Sequence, residues 1–138
     1  MEIKNKEILI IEDSKSLLST MLKGLNQFDY IKCRVDGAEN GKEGLKKSKN
    51  ILYDLIITDL QMPEKTGPEF IRELRKIDSH KKTPIILMSG YFNITPMSKY
   101  EDIIREDNLL FLDKPFNLRK VRNAIKYIFY GSLLLSDT

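Results

Sequence analysis

An open α/β sheet with helices on both faces is the fold class this sequence predicts, and three observations lead to it. Five short apolar, β-branched runs punctuate the chain: EILII (7–11), YIKCRV (30–35), DLIITD (54–59), PIILMS (84–89) and LLFL (109–112). The third and fourth are apolar nearly throughout, as suits strands covered on both faces of a parallel sheet. The segments between the runs are long enough for helices, and several carry helical spacing, so strands and helices alternate.

Each helix has its own justification. Leu17, Leu18, Met21, Leu22 and Leu25 form one apolar stripe, and Ser14 is placed to cap it. A short helix around Lys42–Lys49 follows the turn-like DGAENG, and another runs from about Pro68 to Ile77. Thr95-Pro96 supplies an N-cap and a first-turn proline for a fourth helix, with Met97, Tyr100 and Ile104 facing inward. In the last helix Leu118, Val121, Ile125, Ile128 and Phe129 make the inner stripe, leaving Arg119, Lys120, Arg122 and Lys126 outside.

Bulk composition narrows the function classes. The chain has 138 residues, 41% of them hydrophobic, which is one domain's length and a globular composition. No apolar run approaches the length of a membrane span, and the N-terminal apolar stretch turns acidic too soon for a signal peptide. Cys33 is the sole cysteine, so no internal disulfide forms, and a reducing, cytoplasmic setting is expected. A net charge of +3 without a continuous basic stripe argues against direct nucleic-acid binding by this domain.

In open α/β sheets ligands bind at the carboxyl ends of strands. Here the first strand ends in Glu12 and Asp13, the third in Asp59, the fourth in Ser89 and the fifth in Lys114. One acidic residue after a strand is usually a turn residue. Three carboxylates, a hydroxyl and an ammonium at four strand ends are poorly explained that way. Clustered carboxylates repel one another, and a small hard cation such as Mg²⁺ relieves the repulsion through oxygen ligands. With the metal, Asp59 becomes a carboxylate nucleophile able to carry a phosphoryl group, which Lys114 and Ser89 would contact. No G-x-G-x-x-G or G-x-x-x-x-G-K-[ST] offers a competing phosphate loop.

The stretches ILIIEDS, IITDLQMPEKTG, ILMSGY and FLDKPF, in that order, resemble the receiver domain of two-component response regulators, over about residues 5–130. The resemblance implies a doubly wound, flavodoxin-like sheet of five parallel strands in the order 2-1-3-4-5, within a receiver domain at 1–131 and a tail or linker start at 132–138. It implies that Asp59 accepts the phosphoryl group and that Asp13 and Asp59 bind Mg²⁺, with Mn²⁺ as a substitute. Glu12 would act on the metal through water, and the Gln61 backbone carbonyl would supply a further ligand. Ser89 and Phe111 match the family's switch pair, Lys114 its lysine, Pro115 the proline that members usually hold cis, and Gln61 and Tyr91 the positions flanking the phosphoryl group. As the switch aromatic Phe111 has no hydroxyl, so its inward rotation would leave no polar tip to reposition, and the stretch from Tyr91 to Asn108 matches least.

The implied donor is a phosphohistidine on a sensor histidine kinase or a histidine phosphotransfer protein. The implied output is a switch of the face built from the fourth helix, fifth strand and last helix, read by an output domain or protein, or used for a homodimer. The domain would be no enzyme beyond assisting its own phosphorylation and dephosphorylation, and no membrane partner is expected. Two other classes compete. One is a receiver-like interaction module that works without phosphorylation. The other is an aspartyl-phosphate hydrolase, whose second carboxylate two residues past the nucleophile is replaced by Gln61 after Asp59 and by Lys15 after Asp13. Met62 and Met88 read as core filling, and His80 in DSHKK is assigned no role.

Overall fold

The computed structural model describes residues 3–27, 31–89, 108–113 and 117–131. Five parallel strands, β1 (Ile3–Ile11), β2 (Ile31–Ala38), β3 (Leu55–Asp59), β4 (Ile85–Ser89) and β5 (Leu109–Asp113), form one sheet in the order β2-β1-β3-β4-β5. Between them run α1 (Lys15–Asn26), α2 (Gly41–Asn50) and α3 (Gly67–Leu74), and the C-terminal helix (Leu118–Tyr130) closes the described chain. The predicted helix at Thr95–Ile104 lies outside the described residues, as do Tyr91, Lys114, Pro115 and the segment 132–138.

Strand alternation sorts the core into two layers. Ile8, Ile10, Leu55, Ile57, Ile86 and Met88 face α1 and the C-terminal helix, where they meet Leu18, Met21, Leu25, Val121 and Ile125. Their neighbours Leu9, Ile11, Ile56, Ile85 and Leu87 point the other way, onto Phe70, Ile71 and Leu74 of α3. Because both faces are covered, all five residues of β3 and of β4 are buried. Full burial of such side chains contributes roughly 1.5–3 kcal/mol each, and this is what holds the central strands.

Several boundaries move from their sequence expectation. β1 begins at Ile3 rather than Glu7, because its first residues pair with the start of β2 across a register shift between Lys4 and Lys6. β2 extends through Asp36-Gly37-Ala38, which the turn-like composition had suggested was loop; pairing to Leu9, Ile10 and Ile11 keeps it extended. α3 stops at Leu74, and Lys76 and Ile77 instead make turn hydrogen bonds to Glu73 and Leu74. On the C-terminal helix Arg119 and Lys120 are exposed, but Arg122 and Lys126 are half-buried rather than outside. Tyr130 packs against the α1-side core, while Tyr127 stays 44% exposed.

Side-chain caps start the helices. Ser14 Oγ accepts from the Leu17 amide at 3.3 Å, and Thr66 Oγ1 from the Glu69 amide at 3.2 Å. At α2, Asn40 Oδ1 accepts from the Glu43 amide at 2.8 Å, while Glu43 reaches back to the Glu39 amide at 2.9 Å. Asn40→Ala removes the first of these and is expected to lower stability by about 1 kcal/mol, read as a shift in the urea midpoint without a change in slope.

Candidate functional site

The carboxyl edge of the sheet gathers the acids. β1 ends at Ile11, so Glu12 and Asp13 occupy the turn before the Ser14 cap. Two adjacent residues in that turn face opposite environments: Glu12 is 1% exposed, whereas Asp13 is open to solvent. Glu12 is anchored at both ends. Its amide donates to the Ala38 carbonyl at 3.0 Å, and its Oε2 accepts from the Ser14 amide at 3.0 Å. Asp59, the last residue of β3, is 7% exposed. Carboxylate oxygens of Glu12, Asp13 and Asp59 all lie within 4.8 Å of one another.

Ionised carboxylates this close, two of them buried, carry a steep desolvation and repulsion cost unless something positive meets them. The donor set is all oxygen, with no imidazole or thiolate, and this is the chemistry of a hard cation such as Mg²⁺. The residues present therefore fit the metal that the sequence implied.

Ser89 closes β4 one residue beyond Met88, which pairs with Asp59, and it is 3% exposed. Leu87 pairs with Phe111 and Ser89 with Asp113, so Phe111 and Ser89 share a face of the sheet. Phe111 is half-buried, against the α3-side core. Gln61 is exposed in the loop after Asp59. Thus Glu12, Asp13, Asp59, Ser89 and Gln61 come to one edge, with Phe111 behind them. Met62 and Met88 are buried as core.

One contributor went unassigned in the sequence. Gly67, at the start of α3, donates its amide to the Leu60 carbonyl at 2.9 Å. A Cβ there would lie 2.4 Å from the Asp59 carbonyl oxygen and 2.9 Å from Leu87. Only a glycine lets the helix approach so near the backbone that carries Asp59. Its signal was present in PEKTG, a glycine following a Thr cap and ahead of an apolar helix, but its close approach to the end of the third strand was not readable. The same loop turns through Glu64 in the left-handed region, φ 68°.

The family model for the response regulator receiver domain matches residues 8–126. This chain belongs to that family. The receiver domain is 38% identical over 130 residues to hybrid signal transduction histidine kinase G of Dictyostelium discoideum, covering 94% of this chain and 4% of the kinase. It is 33% identical over 124 residues to the transcriptional regulatory protein CusR of Escherichia coli K12, covering 87% of this chain and 51% of the regulator. The receiver domain thus spans about half of such regulators, or a small part of a hybrid kinase. Among solved structures, chemotaxis response regulator CheY4 of Vibrio cholerae matches with a TM-score of 0.77 and 28% identity, over 91% of this chain and 99% of that one. TrrA of Thermotoga maritima, in complex with Mg(2+)-BeF, matches with a TM-score of 0.73 and 29% identity, over 90% and 99%. The receiver domain is a signalling domain of two-component systems. None of its described helices is long and apolar enough to cross a membrane.

Proposed function

We propose that this receiver takes a phosphoryl group from a phosphohistidine onto Asp59, with Mg²⁺ or Mn²⁺, and switches its output face in response. The observation that carries the reading is the meeting of the Glu12, Asp13 and Asp59 oxygens within 4.8 Å at the carboxyl edge. Asp13 and Asp59 would hold the cation directly, with Glu12 acting through water and Gln61 through its backbone carbonyl. Bound there, the cation supplies the positive charge that offsets the three carboxylates and admits a phosphate. The relative from Thermotoga maritima, solved with Mg(2+)-BeF, supports that assignment.

An Asp59 carboxylate oxygen attacks phosphorus, the P–N bond of the donor histidine breaks, and its electron pair returns to the imidazole nitrogen. Lys114 pairs with the transferred oxygens and Ser89 donates a hydrogen bond to one of them. Ser89 moves toward the phosphoryl group, and Phe111, on the same face of the sheet, fills the space it leaves. Both arrangements pre-exist and phosphorylation shifts their populations, which a partner reads. The donor is a sensor histidine kinase or a histidine phosphotransfer protein, and the reader is an output domain, a separate protein or a second copy. Residues 1–131 form the domain, and the segment from 132 is a tail or the start of a linker. The setting is the cytoplasm.

Intact mass after incubation with Mg²⁺ and acetyl phosphate tests the proposal. One added phosphoryl group is expected on the wild type, lost with chelator and absent in Asp59→Asn. No adduct, together with no beryllofluoride-dependent change in spectrum or oligomeric state, would overturn it in favour of an interaction module that works unphosphorylated.

A further inference from the structure

Alongside the carboxyl edge, α2 and the loop leading into α3 enclose a groove of about 710 Å³. One wall is α2, which contributes Lys42, Glu43, Leu45, Lys46 and Lys49. The opposite wall holds Glu64, Lys65 and Glu73. Lys65 fixes that wall: its stem lies against Gly41, where a Cβ would be 3.1 Å from Lys65 Cδ, and its ammonium pairs with Glu73. The groove is formed before anything enters it.

Its charges are unevenly spent. Glu43 is occupied by the Glu39 amide and by Lys47, 3.5 Å away. Glu73 is occupied by Lys65. Lys42, Lys46 and Lys49 are exposed and, among the described residues, make no ion pair or side-chain hydrogen bond. Spaced i, i+4, i+7, they form one ridge along the groove, with only Glu64 left to oppose them. The helix dipole favours Lys49 in the last turn but not the ridge as a whole. Lys42 and Lys46 repel each other at i, i+4, and Lys42 sits in the first turn, where the helix dipole disfavours a cation. Half-buried Leu45 lies between the lysines and supplies an apolar floor.

We propose that the α2–α3 groove docks an acidic amphipathic helix of a protein partner, its apolar residue on Leu45 and its carboxylates on Lys42, Lys46 and Lys49. Helix-in-groove recognition uses this combination of apolar anchor and flanking charge. A protein helix suits the groove better than a nucleic acid. Glu64 and Glu73 on the opposite wall oppose a continuous phosphate backbone, whereas a helix can keep its carboxylates along the lysine wall, where Glu43 is already met by the Glu39 amide and Lys47. This inference does not rest on phosphorylation of Asp59.

The probe is a fluorescein-labelled synthetic helix of repeated Glu-Glu-Leu-Glu-Glu-Leu-Leu heptads, titrated with the full chain and read by anisotropy and amide chemical shifts. Saturable one-to-one binding is expected, with shifts confined to α2, α3 and the loop before α3. The combined change Lys42→Glu, Lys46→Glu, Lys49→Glu is expected to weaken it about tenfold or more, as loss of charge complementarity does. The milder Lys→Gln set at the same positions separates that loss from misfolding and should weaken binding in the same direction. Equal reversal at Arg119 and Lys120, exposed on the C-terminal helix, should leave binding unchanged. The proposal is overturned by absence of saturable binding, by equal losses from the two reversals, or by a DNA duplex outcompeting the peptide at these residues.

Discussion

Gly67→Ala is expected to destabilise the domain by about 3 kcal/mol, the upper range for forcing an extra methyl group into packed backbone. Two effects compete at this position. Alanine is the better helix former by roughly 1 kcal/mol, and Gly67 opens α3. Against that, the new Cβ would meet the Asp59 carbonyl oxygen at 2.4 Å, a distance no real Cβ keeps. The obstacle is backbone, which has no rotamer to change, and a second backbone atom, Leu60 Cα, lies 3.2 Å away. The clash wins. Relief requires moving either α3 or the end of β3, and the second displaces Asp59 from Glu12 and Asp13. Urea unfolding should show the lost stability, and acetyl phosphate labelling should slow even where the variant remains folded. Gly44→Ala makes a useful contrast, since its 2.5 Å contact is to Ile11 Cδ1, a side-chain end that can rotate. Equal stability of Gly67→Ala and the wild type would show that the helix start does not constrain the acidic edge.

His80→Ala is expected to cost about 3 kcal/mol, combining an orphaned buried amide with a cavity. The ring is fully buried in the turn after α3. Its Nε2 accepts from the Tyr53 amide at 3.1 Å, and its Nδ1 lies 3.1 Å from Ser79 Oγ. Nε2 must therefore carry a lone pair, which assigns the neutral form with hydrogen on Nδ1. Arg75 spans the same turn, donating to the His80 carbonyl at 2.9 Å and the Thr83 carbonyl at 2.8 Å.

Burial, and then the Arg75 charge, push the His80 pKa down from its ordinary 6.5. The sign follows. Below the ordinary value the unfolded chain binds a proton that the folded chain refuses, so stability is full above that pH and falls as pH drops toward the lowered value. Denaturant midpoints measured between pH 7.5 and 5.5 should decline for the wild type. His80→Gln keeps an acceptor without a titrating ring, and should retain more stability than alanine with a flatter pH response. A wild type and a His80→Gln variant with parallel pH slopes would sink the account.

His80 illustrates what a linear reading misses. In DSHKK it has four polar neighbours and no companion suggestive of chemistry, so its sequence surroundings describe an exposed loop. Its partner is Tyr53, a residue 27 positions earlier. Tyr53 itself donates its hydroxyl to Asp36 at 2.8 Å, and burial followed by that bond pushes its own pKa up. Cys33 shows the complementary case. The sequence predicts a lone reduced thiol, and half-burial, with its pKa pushed up to about 11, makes it a poor nucleophile.

What the sequence determined by itself was whatever local pattern controls. The unbroken apolar runs of β3 and β4 imply cover on both faces, the leucine stripe and Ser14 imply α1, and the strand ends name Glu12, Asp13, Asp59 and Ser89. These follow from side-chain periodicity and caps acting within a few residues. Tertiary structure alone decided that Glu12, its amide bound to a β2 carbonyl, is buried while Asp13 beside it faces solvent. It also decided that residues 36–38 are strand, because β1 was there to pair with them. Gly67 and His80 belong to the same class. Burial and close approach depend on atoms dozens of residues away, and no short window of sequence contains them.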